Sequence, residues 1–177
     1  MNQKRPTLTA LSLALTMALG LSACAESPRE TAEDVAEASR ERAEDVSEAR
    51  RDLSKAVAKS DEEMRKAAAE GTHDITEAMI DPDSDGEEVA EAKADAQENL
   101  DEASGDALER NAKAAYDLAM AKAEGNYEVA KEQCDALDTL SQRNLCKDKA
   151  ETTYESMKAR AEAELEKAEQ IAKNYKD

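Results

Sequence analysis

Three cysteines and a run of alternating aspartates are the residues in this sequence whose types and spacing could do chemistry. A thiol can form a disulfide or act as a nucleophile, and carboxylates two residues apart can converge on one cation. Cys24 follows an apolar run from Leu8 to Leu21, whereas Cys134 and Cys146 lie near the carboxyl end. What each group can do therefore depends on its compartment and on the elements that hold it.

The first 23 residues have the pattern of a secretory signal. Two basic residues, Lys4 and Arg5, precede an apolar run that is too short and wrongly flanked for a stable membrane span. Positions 21–24 read LSAC, which resembles the lipobox of bacterial lipoproteins. The resemblance implies that residues 1–23 are removed and that Cys24 is acylated. The membrane is then an expected partner of the chain.

The residue after the cysteine bears on the choice of membrane. In lipoproteins an aspartate at that position favours the inner membrane, and here the residue is Ala25. The resemblance therefore implies a chain that is lipid-anchored in the outer membrane and faces the periplasm.

The exported part of the chain is strongly acidic and poor in large apolar residues. The whole sequence has a formal charge of −18, and without residues 1–23 it carries 22 basic and 42 acidic residues, a charge of −20. Nucleic acid is not an expected partner, because it binds basic patches. Phe and Trp are absent, and most of the hydrophobic residues are alanine, the best helix former. Such a composition is typical of long helices packed through alanine or of a charged chain that stays disordered until a partner or surface folds it.

An eleven-residue repeat favours the helical state. Residues 32–42 read AEDVAEASRER and residues 43–53 read AEDVSEARRDL. Eleven residues in three turns is about 3.67 residues per turn, so the apolar positions form an almost straight stripe along one helix. A capping box at 27–30 predicts that this helix runs from about residue 28 to 80. The stripe predicts a surface for self-association or for an envelope protein partner, formed by Val35, Val46, Leu53 and Val57.

The carboxyl-terminal part has the pattern of a helical hairpin. With the first cysteine acylated, Cys134 and Cys146 remain as an even pair in an oxidising compartment, where we expect them to form a disulfide. Reflection of the chain about residue 140 sets Tyr127 beside Tyr154, as two antiparallel helices joined by a short turn require. A second capping box, Thr139 with Gln142, predicts where the last helix begins.

Two further resemblances involve larger parts of the chain. The eleven-residue repeats and the alanine-rich, charged composition resemble the late embryogenesis abundant proteins, which implies a stress-protective chain that folds on drying or on contact with a surface. Residues 127–154 resemble a segment of uncharacterised alanine-rich periplasmic proteins of proteobacteria, which implies the same compartment and the same disulfide.

An acidic turn separates the two helical parts, and the sequence leaves two interpretations of it open. The residue before Pro82 is pushed out of helical geometry, and the next helix can be capped by Ser84 or Asp85. The spacing of the aspartates also resembles the calcium loop of the EF-hand, although the twelfth position is Ala92 and not the usual glutamate. A shortened, weak calcium site would use Asp81, Asp83, Asp85 and Glu91.

The sequence thus predicts an all-α fold, an elongated helical rod with a C-terminal disulfide-clamped antiparallel helical hairpin. Helix formers continue on both sides of Gly105, so a three-helix layout and a four-helix layout are both open. The expected segments are a cleaved signal (1–23), a lipid-anchored long helix (24–80), an acidic turn (81–86), a connecting helix (87–105) and the stapled hairpin (106–177).

Nothing in the sequence predicts an enzyme. His73 is the single histidine and has no neighbouring histidine or cysteine to complete a zinc site, and no nucleophile elbow or glycine-rich phosphate loop is present. No cofactor is expected apart from weak calcium. We expect a non-catalytic outer-membrane lipoprotein with a structural, spacer or adaptor role. The alternatives are an envelope stress- or desiccation-protective protein, partly disordered when dilute, and a weak calcium-responsive binding module.

Overall fold

Three long helices make up most of the computed structural model, which describes residues 27–176. Helix α1 spans Pro28–Ile80, α2 spans Gly86–Asp135 and α3 spans Leu140–Lys176. The all-α prediction is confirmed. The layout has three helices, because α2 continues through Gly105 without a break. Residues 87–105 and the first arm of the hairpin are therefore one helix.

The helices begin at caps that the sequence makes recognisable. At α1 the backbone N–H of Glu30 donates to Ser27 Oγ at 3.3 Å, and the backbone N–H of Ser27 donates to Glu30 Oε2 at 2.9 Å. The same reciprocal pair joins Thr139 and Gln142 before α3. The Asp85 carboxylate accepts two backbone N–H groups from the first turn of α2. These caps satisfy donors that a helix start otherwise leaves unpaired, so they fix the helix bounds.

Helix α2 is the central element of the fold. It packs against both α1 and α3, and within residues 27–176 the two outer helices do not contact each other. Both pairs are antiparallel: Gly71 of α1 lies against Ala96, and Ala172 of α3 lies against Gly105. α3 ends at Lys176, beside a cleft that Ala94 and Gln97 also line, so only the first turns of α2 pack against α1 alone.

The eleven-residue period explains how α2 contacts two partners. Its half-buried or buried positions facing α1 include Ala92, Ala103, Ala114 and Gly125, and those facing α3 include Ala112, Ala123 and Cys134. Each series has steps of eleven. At about 3.67 residues per turn the two seams lie about 160° apart around α2. That angle holds the outer helices too far apart to close a bundle.

Glycines permit the closest approach between helices. A Cβ atom built on Gly71 would lie 2.6 Å from the Ala96 Cβ, and one built on Gly105 would lie 3.0 Å from the Ala172 carbonyl oxygen. An interface made mainly of alanine gains its van der Waals contacts only at such short separations. Glycine therefore contributes to packing here although it lowers the intrinsic stability of a helix.

Candidate functional site

The carboxyl-terminal hairpin has the disulfide and the tyrosine pair that the sequence predicts. Cys134 and Cys146 are bonded, with their Cα atoms 5.5 Å apart, and Cys134 is fully buried on the seam between α2 and α3. The rings of Tyr127 and Tyr154 lie 5.3 Å apart between centroids. Both cysteine sulfurs are thus consumed by a structural bond at the end of the hairpin, so neither is available as a nucleophile.

A shallow pocket of about 220 Å³ lies on this seam, beside the disulfide and the two tyrosine rings. Its walls are mainly apolar, which is the expected lining of a ligand pocket, but it is smaller than typical small-molecule sites. Lys131 lies beside Tyr127, one of the lining residues, with Nζ 5.2 Å from the Tyr127 ring centroid and 2.7 Å from Glu128 Oε2. The hydrogen bond to Glu128 raises the pKa of Lys131. The amine therefore stays protonated at neutral pH and is a poor nucleophile.

The acidic turn uses its carboxylates to hold the backbone. Asp81 Oδ1 accepts the backbone N–H of Asp83 at 2.9 Å, and Asp85 Oδ1 accepts the N–H groups of Glu87 and Glu88. Within residues 27–176 no three metal-ligating side chains are grouped so that they could hold a metal ion. The structure thus does not bring together the four candidate calcium ligands Asp81, Asp83, Asp85 and Glu91.

The predicted partner stripe on α1 lies mostly in the contact with α2. Val35, Val46 and Leu53 are half-buried, whereas Val57 is 40% exposed. The row that contains Val35 and Val46 shifts by one residue, to Ala56 instead of Val57, and then continues in steps of eleven, whereas the row of Leu53, Met64 and Ile75 does not shift. Three of the four stripe residues therefore pack within the chain, and Val57 is the one that faces solvent.

A polar cluster in the middle of the α1–α2 seam was not predicted from the sequence. Ser60 is fully buried; its hydroxyl donates to Asn111 Oδ1 at 3.1 Å and accepts from Arg110 Nη1 at 3.3 Å. Arg110 also forms an ion pair with Glu63 at 2.6 Å. The single clue in the sequence is that Ser60 and Gly71 are eleven residues apart, so that they lie on the same face of α1. Since each buried polar group has a partner at one alignment of the helices, we interpret the cluster as a device that fixes their register.

Comparison with protein-family models, curated proteins and solved structures finds no match for this chain. The functional argument therefore depends on the residues of the chain itself. The likeness to lipoproteins and to late embryogenesis abundant proteins stays a prediction from sequence.

The predicted lipidation site, Cys24, lies outside the described residues, three positions before Ser27. Among the described helices none has a stretch both long and apolar enough to cross a bilayer. His73 is exposed on α1 and lies 3.8 Å from Glu77, one turn away. It is thus an ordinary surface residue of the helix.

Proposed function

We propose that this chain is a non-catalytic lipoprotein of the outer membrane, facing the periplasm, that acts as a spacer or adaptor in the cell envelope. The observation that carries the proposal is the length and direction of α1. Its 53 residues span roughly 80 Å at about 1.5 Å per residue. A chain anchored at Cys24 would therefore present the acidic turn at 81–86 roughly 80 Å from its anchor.

The packing supports rigidity along this length. α2 runs antiparallel to α1 over almost the whole of α1, and the polar cluster around Ser60 fixes their alignment near the middle. Single helices in water are marginal, whereas a packed pair holds its shape through the buried seam. A rigid rod of fixed length is what a spacer requires.

Anchoring is tested by mass spectrometry of the amino-terminal peptide after expression with the native signal in a diderm bacterium. We expect cleavage before Cys24, acyl groups on that residue and recovery of the protein in the outer-membrane fraction. The matched control is Cys24→Ser, which removes the thiol. An unmodified wild-type amino terminus, or a soluble wild-type protein, would contradict the anchor.

The spacer role is tested by shortening the rod without disturbing its packing. Deleting 65–75 together with 92–102 removes one eleven-residue unit from each of two paired segments, so both seams keep their phase. All of α3 except its last turn, which lies beside Gln97 and Asp101, keeps its contacts. The rod should shorten by roughly 16 Å, which small-angle X-ray scattering can verify. A photo-reactive residue at Met79 should then lose its cross-links to envelope partners; unchanged cross-links would contradict a function that depends on reach.

Circular dichroism in dilute buffer distinguishes the rod from the protectant alternative. A rod is strongly helical before any drying, and its helicity does not depend on a surface. Low helicity that rises steeply on dehydration would contradict the rod and favour the stress-protective function.

A further inference from the structure

The turn between α2 and α3 exposes three leucines. Leu137 is 38% exposed, Leu140 68% and Leu145 57%, and no other leucine within residues 27–176 is exposed. Leu145 lies five residues after Leu140, so the group extends about 8 Å along the helix from its start. We call these three residues the leucine tip. Exposed large apolar groups gathered at one place indicate a surface that they contact. Met79 and Ile80 are also exposed at the opposite end of the rod, but there they lie in the acidic stretch 77–88.

The leucine tip lies at the end of the rod where α1 begins. Arg42 lies against Gly125, and Gly71 lies against Ala96, which sets the antiparallel register of α1 and α2. Extending that register places Ser27 level with the turn at 136–139. Cys24 precedes Ser27 by three residues, which span at most about 11 Å.

The charge at this end differs from the charge of the rest of the chain. Residues 135–149 contain three acidic and three basic side chains, and residues 27–34 of α1 at the same end add three acidic and one basic, a sum of −2. Residues 77–88 at the opposite end contain six acidic side chains and no basic one, a sum of −6. Membrane surfaces that carry anionic lipid repel an acidic protein surface. The leucine tip thus lies at the less acidic end of the rod, which an anionic lipid surface repels less than the opposite end.

We infer that the leucine tip inserts into the headgroup region of the membrane in which Cys24 is anchored, so that the rod stands on the bilayer at two points. This inference rests on the proposed lipid anchor. Amphipathic helices at such an interface bury their apolar face about 5–10 Å into the boundary between headgroups and acyl chains, a depth similar to the extent of the tip along α3. A second contact also orients the acidic end away from the membrane, which a single anchor point does not do.

A tryptophan at either end reports the contact, because the chain contains no other tryptophan. Leu140→Trp places it in the leucine tip, and Met79→Trp is the matched control at the far end, where the native side chain is 66% exposed. Both full-length proteins are exported, acylated, purified and reconstituted into phosphatidylethanolamine and phosphatidylcholine vesicles with and without brominated chains. Circular dichroism verifies that both variants keep the helicity of the wild type.

For tryptophan at position 140 we expect a blue-shifted emission and about a twofold quenching of its intensity by brominated lipid, because the ring would lie at the depth of the bromine atoms. For tryptophan at position 79 we expect neither effect. Unquenched emission at both positions, with protein that sediments with the vesicles, would overturn the leucine contact and leave the anchor intact. Equal quenching at both positions would show that the rod lies flat on the membrane. A blue shift at position 140 that depends on protein concentration in the absence of vesicles would show that a second copy covers the leucines. Each of these results would overturn the inference. Failure to sediment would overturn the anchor and the inference together.

Discussion

At Gly71 the missing side chain determines how closely α1 and α2 approach. In Gly71→Ala the new Cβ would meet the Ala96 Cβ at 2.6 Å and its Cα at 3.2 Å, so the helices must separate. Overpacking costs about 1–3 kcal/mol, which outweighs the gain of about 1 kcal/mol in helix propensity. We expect a net loss of stability, measured by urea unfolding.

Gly86→Ala is the control for that change, since nothing lies within 4 Å of the Cβ it would introduce. This control is expected to be neutral or to stabilise the protein by up to about 1 kcal/mol through the unfolded state. If both variants were equally stable, close approach at Gly71 would be irrelevant to the packing.

Ser60 stabilises the fold although it is a polar residue in an apolar seam. Ser60→Ala removes the donor to Asn111 Oδ1, which loses its partner in the seam at a cost of about 1–3 kcal/mol, whereas Arg110 keeps its ion pair with Glu63. The control, Ser39→Ala, alters an exposed serine that donates only to the carbonyl of Val35 in its own helix. We expect a lower melting temperature for the first variant and an unchanged or slightly higher one for the second. Equal melting temperatures would argue against a register-fixing role.

Glu30 should titrate at an unusually low pH. Hydrogen bonds from the Ser27 backbone and side chain lower the pKa of Glu30 below its ordinary value of 4.5. A lowered pKa in the folded state means that the capping box stabilises α1 above about pH 4.5 and that this contribution is lost as the pH falls through the lowered value. Carbon-detected NMR of the Glu30 carboxyl should give this midpoint and a higher one in Ser27→Ala, which removes the side-chain hydrogen bond but keeps the backbone one. An identical midpoint in both proteins would contradict the interaction.

At the scale of the elements, the disulfide stabilises the α2–α3 pair. The bond closes a loop of 12 residues, and on the chain-entropy model a loop of that size is worth about 3 kcal/mol. In a Cys24→Ser background we expect reductant to lower the melting temperature of the hairpin. The double variant Cys134→Ser/Cys146→Ser should melt at the reduced temperature with or without reductant. No effect of reductant on the parent protein would contradict a structural role for the bond.

The helix bounds could be predicted because caps and turn residues are local signals. Ser27, Asp85 and Thr139 each mark a helix start, and the eleven-residue period marks the buried face. Which helix covers that face could not be predicted, since the same stripe can pack within one chain or between two. The shift of the stripe at Ala56, the two seams of α2 and the partners of Ser60 all depend on the pairing of α1 with α2, which no local pattern encodes.

At the scale of the whole molecule, charge opposes the fold. The chain carries a formal charge of −18, spread along a thin rod whose ion pairs are mostly exposed contacts within one helix. Such pairs contribute only about 0.3–0.5 kcal/mol each, so repulsion between like charges exceeds them. Salt screens charges separated by more than about 10 Å at 0.1 M, and it should therefore stabilise this protein.

The test of that balance is a thermal melt at increasing sodium chloride concentration, up to a few tenths molar. We expect the melting temperature to rise with salt, because screening weakens the long-range repulsion more than it weakens ion pairs in direct contact. The matched variant neutralises three exposed glutamates in one eleven-residue row on the outer face of α2, Glu91→Gln, Glu102→Gln and Glu124→Gln. It should melt at a higher temperature in low salt and respond less to added salt. A melting temperature that falls with salt would mean that the surface ion pairs outweigh the net charge.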